Sequence, residues 1–258
     1  ISMNIFVMVD MEGISGICQR SQVSGTEYYN VARKYMTWDV NACVDGCYQG
    51  GAKEVIVLDA HYMSFNLLWD ELDPRARYIQ GRSPDQRMPD IKNYDGLILL
   101  GYHAMAGTRF GVLEHTMSSS AWQNFWINGK KSGEIAIDAA IAGTYNVPVI
   151  MVSGDDKACN EAKSFLGNVV TAEVKKGLEV EGAILLSKPK AHSLITEKSA
   201  EAVKNCKKAK IYKVKSPVTL RLELVSRGFL PRRSGVTIVD GRTYEVSAKT
   251  IEDALKLL

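Results

Sequence analysis

Four short runs of nearly unbroken apolar residues govern what this chain can fold into: Asn4 to Val9, Glu54 to Leu58, Gly96 to Leu100 and Val147 to Val152. None shows the apolar–polar alternation of a strand with one wet face. Such strands are buried on both faces, which is the mark of a parallel sheet covered by helices. Between the first two runs, apolar residues recur at Tyr28, Val31, Ala32, Tyr35, Met36, Val40, Cys43, Val44 and Cys47. Thr26 is a fair N-cap for this helix, and Gly50-Gly51 closes it. The opening is therefore β-loop-α-β, a right-handed crossover between parallel strands. Further helical patterns run from Glu134 to Tyr145 and from Asp155 to Phe165.

Beyond about residue 168 the pattern changes. A helix is expected near Thr196 to Asn205, and in Val218 to Val225 the leucines Leu220, Leu222 and Leu224 alternate with charged residues, as in a strand with one wet face. Asn128-Gly129 and Asp240-Gly241 mark hairpin turns, and Thr250 to Leu258 reads as a closing helix. The expected fold class is α/β. It comprises a mostly parallel, helix-covered sheet core over residues 1–167, which carries the chemistry, and a smaller α+β segment over 168–258 available for oligomer contacts or substrate access.

Composition narrows the setting. Of 258 residues, 46% are hydrophobic and 24% charged, the balance of a soluble globular protein. The apolar stretch Ile5–Val9 is broken at once by Asp10 and Glu12, too short for a signal core or a membrane span, so neither membrane insertion nor secretion is expected. Five cysteines without a C-x-x-C pair suit a reducing compartment, and the expected location is cytoplasmic. Residues 1–156 hold 12 Lys+Arg against 18 Asp+Glu, and the remainder 20 against 11. The basic half lacks interleaved aromatics, which argues against a nucleic-acid partner, whereas an excess of carboxylates suits divalent cations.

Three of the four histidines lie at or soon after the carboxyl end of an expected strand: His61, His103 and His115. Asp10-x-Glu12 leaves the first strand at the same edge, where open α/β sheets bind ligands. Each feature alone has an ordinary structural reading, as a cap, a solvated loop or a satisfied histidine. Converging on one rim, two carboxylates and two imidazoles suit zinc or manganese, and Asp10 could bridge two ions. No H-E-x-x-H, G-x-S-x-G or G-x-G-x-x-G is present, and Gly129-Lys130-Lys131-Ser132 lacks the glycine a P-loop needs at Asn124.

Val9-Asp10-Met11-Glu12-Gly13-Ile14-Ser15-Gly16, Asp59-Ala60-His61, Leu100-Gly101-Tyr102-His103-Ala104, Gly133-Glu134-Ile135 and Ser153-Gly154-Asp155-Asp156 occur in the order found in the DppA family of D-aminopeptidases, peptidase family M55, which the chain resembles. The resemblance implies a zinc centre of two ions per subunit on Asp10, Glu12, His61, His103 and Glu134, with His115 catalytic. It also implies short peptides with N-terminal D-amino acids, of the D-Ala-D-Ala type, as substrates, and a ring-shaped homo-oligomer, a decamer in the family. Glu134 and the catalytic role of His115 rest on the resemblance alone; by position, Glu134 could equally be a favourable charge at a helix start. Glu114 and Thr116 depart from the Ser-His-Ser context of the family, which bears on substrate preference. A metal-dependent amidase or phosphoesterase is the alternative, for which Arg82, Arg87 and Arg109 would supply a cationic rim. His192 reads as a surface loop residue, and Asp155-Asp156 as either a helix cap or a support for the metals.

Overall fold

The computed structural model describes residues 3–83, 86–228 and 230–258. Its first half runs β1 (Met3–Val9), α1 (Glu27–Gln49), β2 (Ala52–Asp59), β3 (Arg77–Ile79), β4 (Gly96–Tyr102), β5 (Trp122–Ile127), β6 (Lys130–Lys131) and α2 (Glu134–Thr144). There follow β7 (Val149–Asp155), α3 (Asp156–Leu166), β8 (Val170–Glu179), β9 (Gly182–Leu185), α4 (Lys188–Asn205), β10 (Val218–Leu224), β11 (Val236–Ile238), β12 (Thr243–Ala248) and α5 (Ile251–Leu255).

The strands form two sheets. The larger has the order β3-β2-β1-β4-β7-β8-β9 and is parallel except at its β8–β9 edge. The smaller, β11-β12-β10-β5-β6, is antiparallel throughout. The unbroken apolar runs have a direct cause. In β1, Ile5, Val7 and Val9 join a core with α1 and α4, while Phe6 and Met8 join another with α2 and the small sheet. From Ile5 to Val9 both faces of the strand are dry, so no position there is left for a polar residue. On the outer side α1 and α4 cross so closely that a Cβ on Gly46 would lie 2.3 Å from the Thr196 carbonyl oxygen.

The small sheet follows the expected one-sided pattern. Leu220 and Leu222 of β10 are buried opposite Ile127 and Phe125 of β5, while Arg221 faces out to pair with Glu245. Asn128 and Gly129, both at positive φ, turn the β5–β6 hairpin.

The division expected at residue 167 does not separate two structural units. After that point β8, β9 and α4 extend and cover the large sheet, and β10 pairs with β5 from the other half of the chain. The alternating leucines of β10 need an apolar partner, and Phe125 and Ile127 supply it. The helix expected from Thr196 begins earlier, at Lys188, because its polar first turn hides the period and Pro189 is tolerated there. No helix among the described residues is long and apolar enough to cross a membrane.

Candidate metal centre

β1 pairs with β2 on one side and β4 on the other, so the carboxyl ends of the three strands lie abreast. Backbone bonds continue past the strands and fix the rim: Ala60 N–H donates to Val9 O at 2.9 Å, Asp10 N–H to Leu100 O at 2.9 Å and Gly13 N–H to Gly101 O at 2.7 Å. The loops cross so tightly that a Cβ on Gly13 would come within 2.0 Å of the Tyr102 carbonyl oxygen. Asp10, His61 and His103 thus emerge side by side. Glu134 arrives from the opposite wall as the first residue of α2, and His115 from the loop after β4. They line a cleft of about 480 Å³ together with Glu12 and Arg87, except His103, which is buried behind it.

The side chains form two groups, Asp10–Glu12–His61 and His103–His115–Glu134, each able to bring one donor atom per residue within 4.8 Å of the others. Asp10 reaches both. Its Oδ1 is 3.0 Å from His61 Nδ1 and its Oδ2 is 3.3 Å from His103 Nε2. Glu12 Oε2 is 3.1 Å from His61 Nδ1, and Glu134 Oε1 is 3.3 Å from His103 Nε2 and 3.7 Å from His115 Nε2.

Each imidazole has its other nitrogen tied to a carbonyl. His61 Nε2–H donates to Val23 O at 2.8 Å, His103 Nδ1–H to Ala104 O at 3.0 Å and His115 Nδ1–H to Leu113 O at 2.9 Å. A carbonyl only accepts, so these contacts fix the protonated nitrogen and turn the remaining one toward the carboxylates. In a neutral ring that nitrogen carries a lone pair, and a lone pair facing carboxylate oxygens at about 3 Å needs a cation between them. Two buried atoms, Glu12 Oε2 and His103 Nε2, make no hydrogen bond among the described residues. A donor set of carboxylates and imidazoles with unused buried atoms fits zinc.

Electrostatics point the same way. Burial pulls the His103 imidazole down, but Glu134 and Asp10 more than offset this and hold it well above its ordinary range. His61 is likewise raised by Glu12 and Asp10 against its burial. Conversely, Asp10 is held well below the usual carboxylate range by His103 and His61 despite burial, and Glu134 is lowered, against its burial, mainly by His103. The cluster favours positive charge among its carboxylates.

Several supporting residues lie outside the expected ligand set. Lys175 on β8 is buried and donates to the carbonyls of Glu12, Ile14 and Ile17 at 2.6, 2.8 and 2.5 Å, pinning the loop that carries Asp10 and Glu12. Glu161 accepts from Met105 N–H at 2.7 Å, two residues beyond His103. Arg87 forms a two-pronged ion pair with buried Asp138, to which Tyr102 also donates at 2.6 Å. Only the fold brings these groups to the site, although a lysine within an otherwise apolar-spaced strand is a weak hint.

Other expectations resolve. Asp59 accepts from the backbone of His61 and Asn66 and shapes their loop. Asp155 caps α3 through Ala158 N–H and also accepts from Val112 N–H at 2.8 Å, which ties down the His115 loop. His192 lies on α4, not in a surface loop, with Nε2 3.3 Å from buried Asp39. Arg109 stacks over Phe110 and is not in the cleft wall, so the three arginines do not form a common rim.

The D-aminopeptidase family profile, Peptidase M55, matches residues 3–258. A D-aminopeptidase of Bacillus subtilis (strain 168) is 38% identical over 229 residues, covering 88% of this chain and 83% of the relative. The solved structure described as the zinc-dependent D-aminopeptidase DppA from Bacillus subtilis, a self-compartmentalizing protease, superposes with a TM-score of 0.93 at 35% identity, over 98% of this chain and 94% of its own. A profile match across the described fold, and relatives this similar over most of their length, establish that the chain belongs to the D-aminopeptidase family, Peptidase M55.

Proposed function

We propose that the protein is a zinc-dependent aminopeptidase for short peptides with N-terminal D-amino acids, such as D-Ala-D-Ala, and that its centre holds two ions per subunit. Asp10, Glu12 and His61 would hold one, and Asp10, His103 and Glu134 the other. The observation that carries this reading is the division of the Asp10 carboxylate, one oxygen directed at His61 and the other at His103. A carboxylate with one oxygen toward each group of donors would serve a two-metal site. The zinc dependence and D-peptide activity of the Bacillus relatives support the choice of metal and substrate.

When bound, zinc supplies Lewis acidity toward a carbonyl and toward water. The rest is done by side chains. His115 keeps Nδ1–H on the Leu113 carbonyl and turns Nε2 toward the cleft beside Glu134. From there Nε2 can take a proton from the attacking water and return it to the leaving amine as the peptide bond breaks. The His103 ring stacked against His115 and the Leu113 carbonyl set the direction of that nitrogen.

We also infer a closed homo-oligomer, a decamer as in the family, consistent with the self-compartmentalizing relative. The segment after residue 167 offers exposed Ile184 and Leu178 to such contacts, and the loop after β2 offers the still more exposed Tyr62, Phe65 and Trp69.

The test is elemental analysis combined with turnover of matched D- and L-dipeptides and of a phosphoester. About two zinc ions per chain and release of D-alanine from D-Ala-D-Ala are expected. Turnover of the phosphoester alone, or of L-peptides alone, would overturn the reading.

A further inference from the structure

Arg87 stands where the cleft meets a second cavity. It lines the cleft alongside Glu134, and together with Ala60 it also lines an adjoining cavity of about 370 Å³, whose wall includes Arg82, Gln86, Ser64 and Ser83. Among the described residues lining the cleft it is the one that carries a permanent positive charge. Asp138 beneath it is wholly buried, whereas a quarter of the Arg87 side chain is exposed. Asp138 takes Nε–H and one Nη2–H, and no hydrogen bond to Nη1 occurs among the described residues. The guanidinium is therefore held rigidly from behind while part of its donor fork faces the cavity.

We propose that Arg87 is a specificity-determining residue that receives the free C-terminal carboxylate of the substrate, an inference that rests on the aminopeptidase reading above. An Arg fork held in one orientation is suited to a carboxylate, which accepts charge-assisted hydrogen bonds from it. Arg87 Nη2 is 3.7 Å from Glu134 Oε2, so the fork borders the side chains that would hold metal. A carboxylate received there lies close to the scissile bond, as in a short peptide, and the adjoining cavity offers Arg82 as a second cation. The substrate class is thus short peptides with an unblocked C-terminus. A salt bridge that only anchored the Arg87 loop to α2 would be indifferent to the charge at that end of the peptide.

The experiment compares the zinc-loaded protein on D-Ala-D-Ala and on its C-terminal amide, D-Ala-D-Ala-NH2. The amide should raise KM about tenfold or more, with kcat little changed, as expected for loss of a binding contact. Arg87→Gln should raise KM for the free acid by a similar factor, so that acid and amide no longer differ. General damage to the fold would affect both substrates. Where Arg87→Gln fails to fold because Asp138 is left unpaired, the double variant Arg87→Gln/Asp138→Asn removes the buried charge, and it should likewise lose discrimination between acid and amide. Equal KM values for acid and amide in the unmodified protein would overturn the assignment while leaving the aminopeptidase reading intact. Failure to hydrolyse either peptide would instead overturn that reading and the assignment with it.

Discussion

His103 and His115 lie ring over ring, with centroids 4.0 Å apart and planes inclined by 12°. The stack joins a ring with an unused buried nitrogen, His103, to one that is half-buried and borders the cleft. Their substitution should therefore separate metal binding from proton transfer. His115→Ala should lower kcat/KM by about 10²–10⁴-fold while zinc content stays at the unmodified level. His103→Ala should lose zinc. Zinc loss from His115→Ala on the scale of His103→Ala would make His115 a metal donor.

Asp10 should be the donor whose removal costs most metal, because its two oxygens serve both groups of side chains. Glu12 and Glu134 each face one group. Asp10→Asn keeps the size of the side chain and removes its charge. Elemental analysis after dialysis should find both ions depleted in Asp10→Asn, against a smaller loss in Glu12→Gln or Glu134→Gln. Equal losses in all three would remove the bridging role.

How far the site could be read from the chain depends on what each residue answers to. Asp10, His61 and His103 follow directly from apolar runs that end at one sheet edge, so strand order alone puts them together. Glu134 begins a helix on the opposite wall, and a carboxylate there has an ordinary explanation in the helix dipole. Lys175 lies outside any motif, and Arg87 reads from the sequence only as part of a cationic rim. The first acts through backbone carbonyls more than 150 positions away, and the second through an aspartate in α2. The hidden joint between the two halves of the chain has the same origin. β-Strand partners are chosen by which apolar faces remain uncovered, and β10 finds β5 across nearly a hundred residues.

Zinc should stabilise the protein more as pH rises. In chelator-treated protein, protons on His61 and His103 are the cations available to the carboxylates, and both rings are held well above their ordinary range. For a group raised in the folded state, the stability it contributes is complete below its unfolded pKa, near 6.5, and is lost as pH climbs through the folded value. Zinc needs those same nitrogens deprotonated. The rise in Tm on adding zinc to chelated protein should therefore be larger at pH 8.5 than at pH 6, by several degrees for about 1–2 kcal/mol. A zinc shift that is constant with pH would place the ions elsewhere.

Glu161 gives a prediction that needs no catalysis. Its carboxyl is buried on α3, with Oε2 accepting from Met105 N–H and Oε1 without a hydrogen-bond partner among the described residues. Burial pushes it up to about 7, with the Met105 N–H working in the opposite direction. Between its ordinary value of 4.5 and about 7 the folded protein keeps the proton that the unfolded chain releases. The group's contribution is thus full below about pH 4.5 and is lost as pH rises to 7, a change of up to about 3 kcal/mol at 1.36 kcal/mol per pH unit. Glu161→Gln is neutral throughout and carries no such slope. Urea unfolding of the chelated proteins at pH 5 and pH 8 separates this effect from the histidines, which both proteins share. Relative to the unmodified protein, the variant should gain roughly 2–3 kcal/mol between the two pH values. A difference that does not change with pH would show that Glu161 ionises as an ordinary carboxylate, with its second oxygen satisfied in solution.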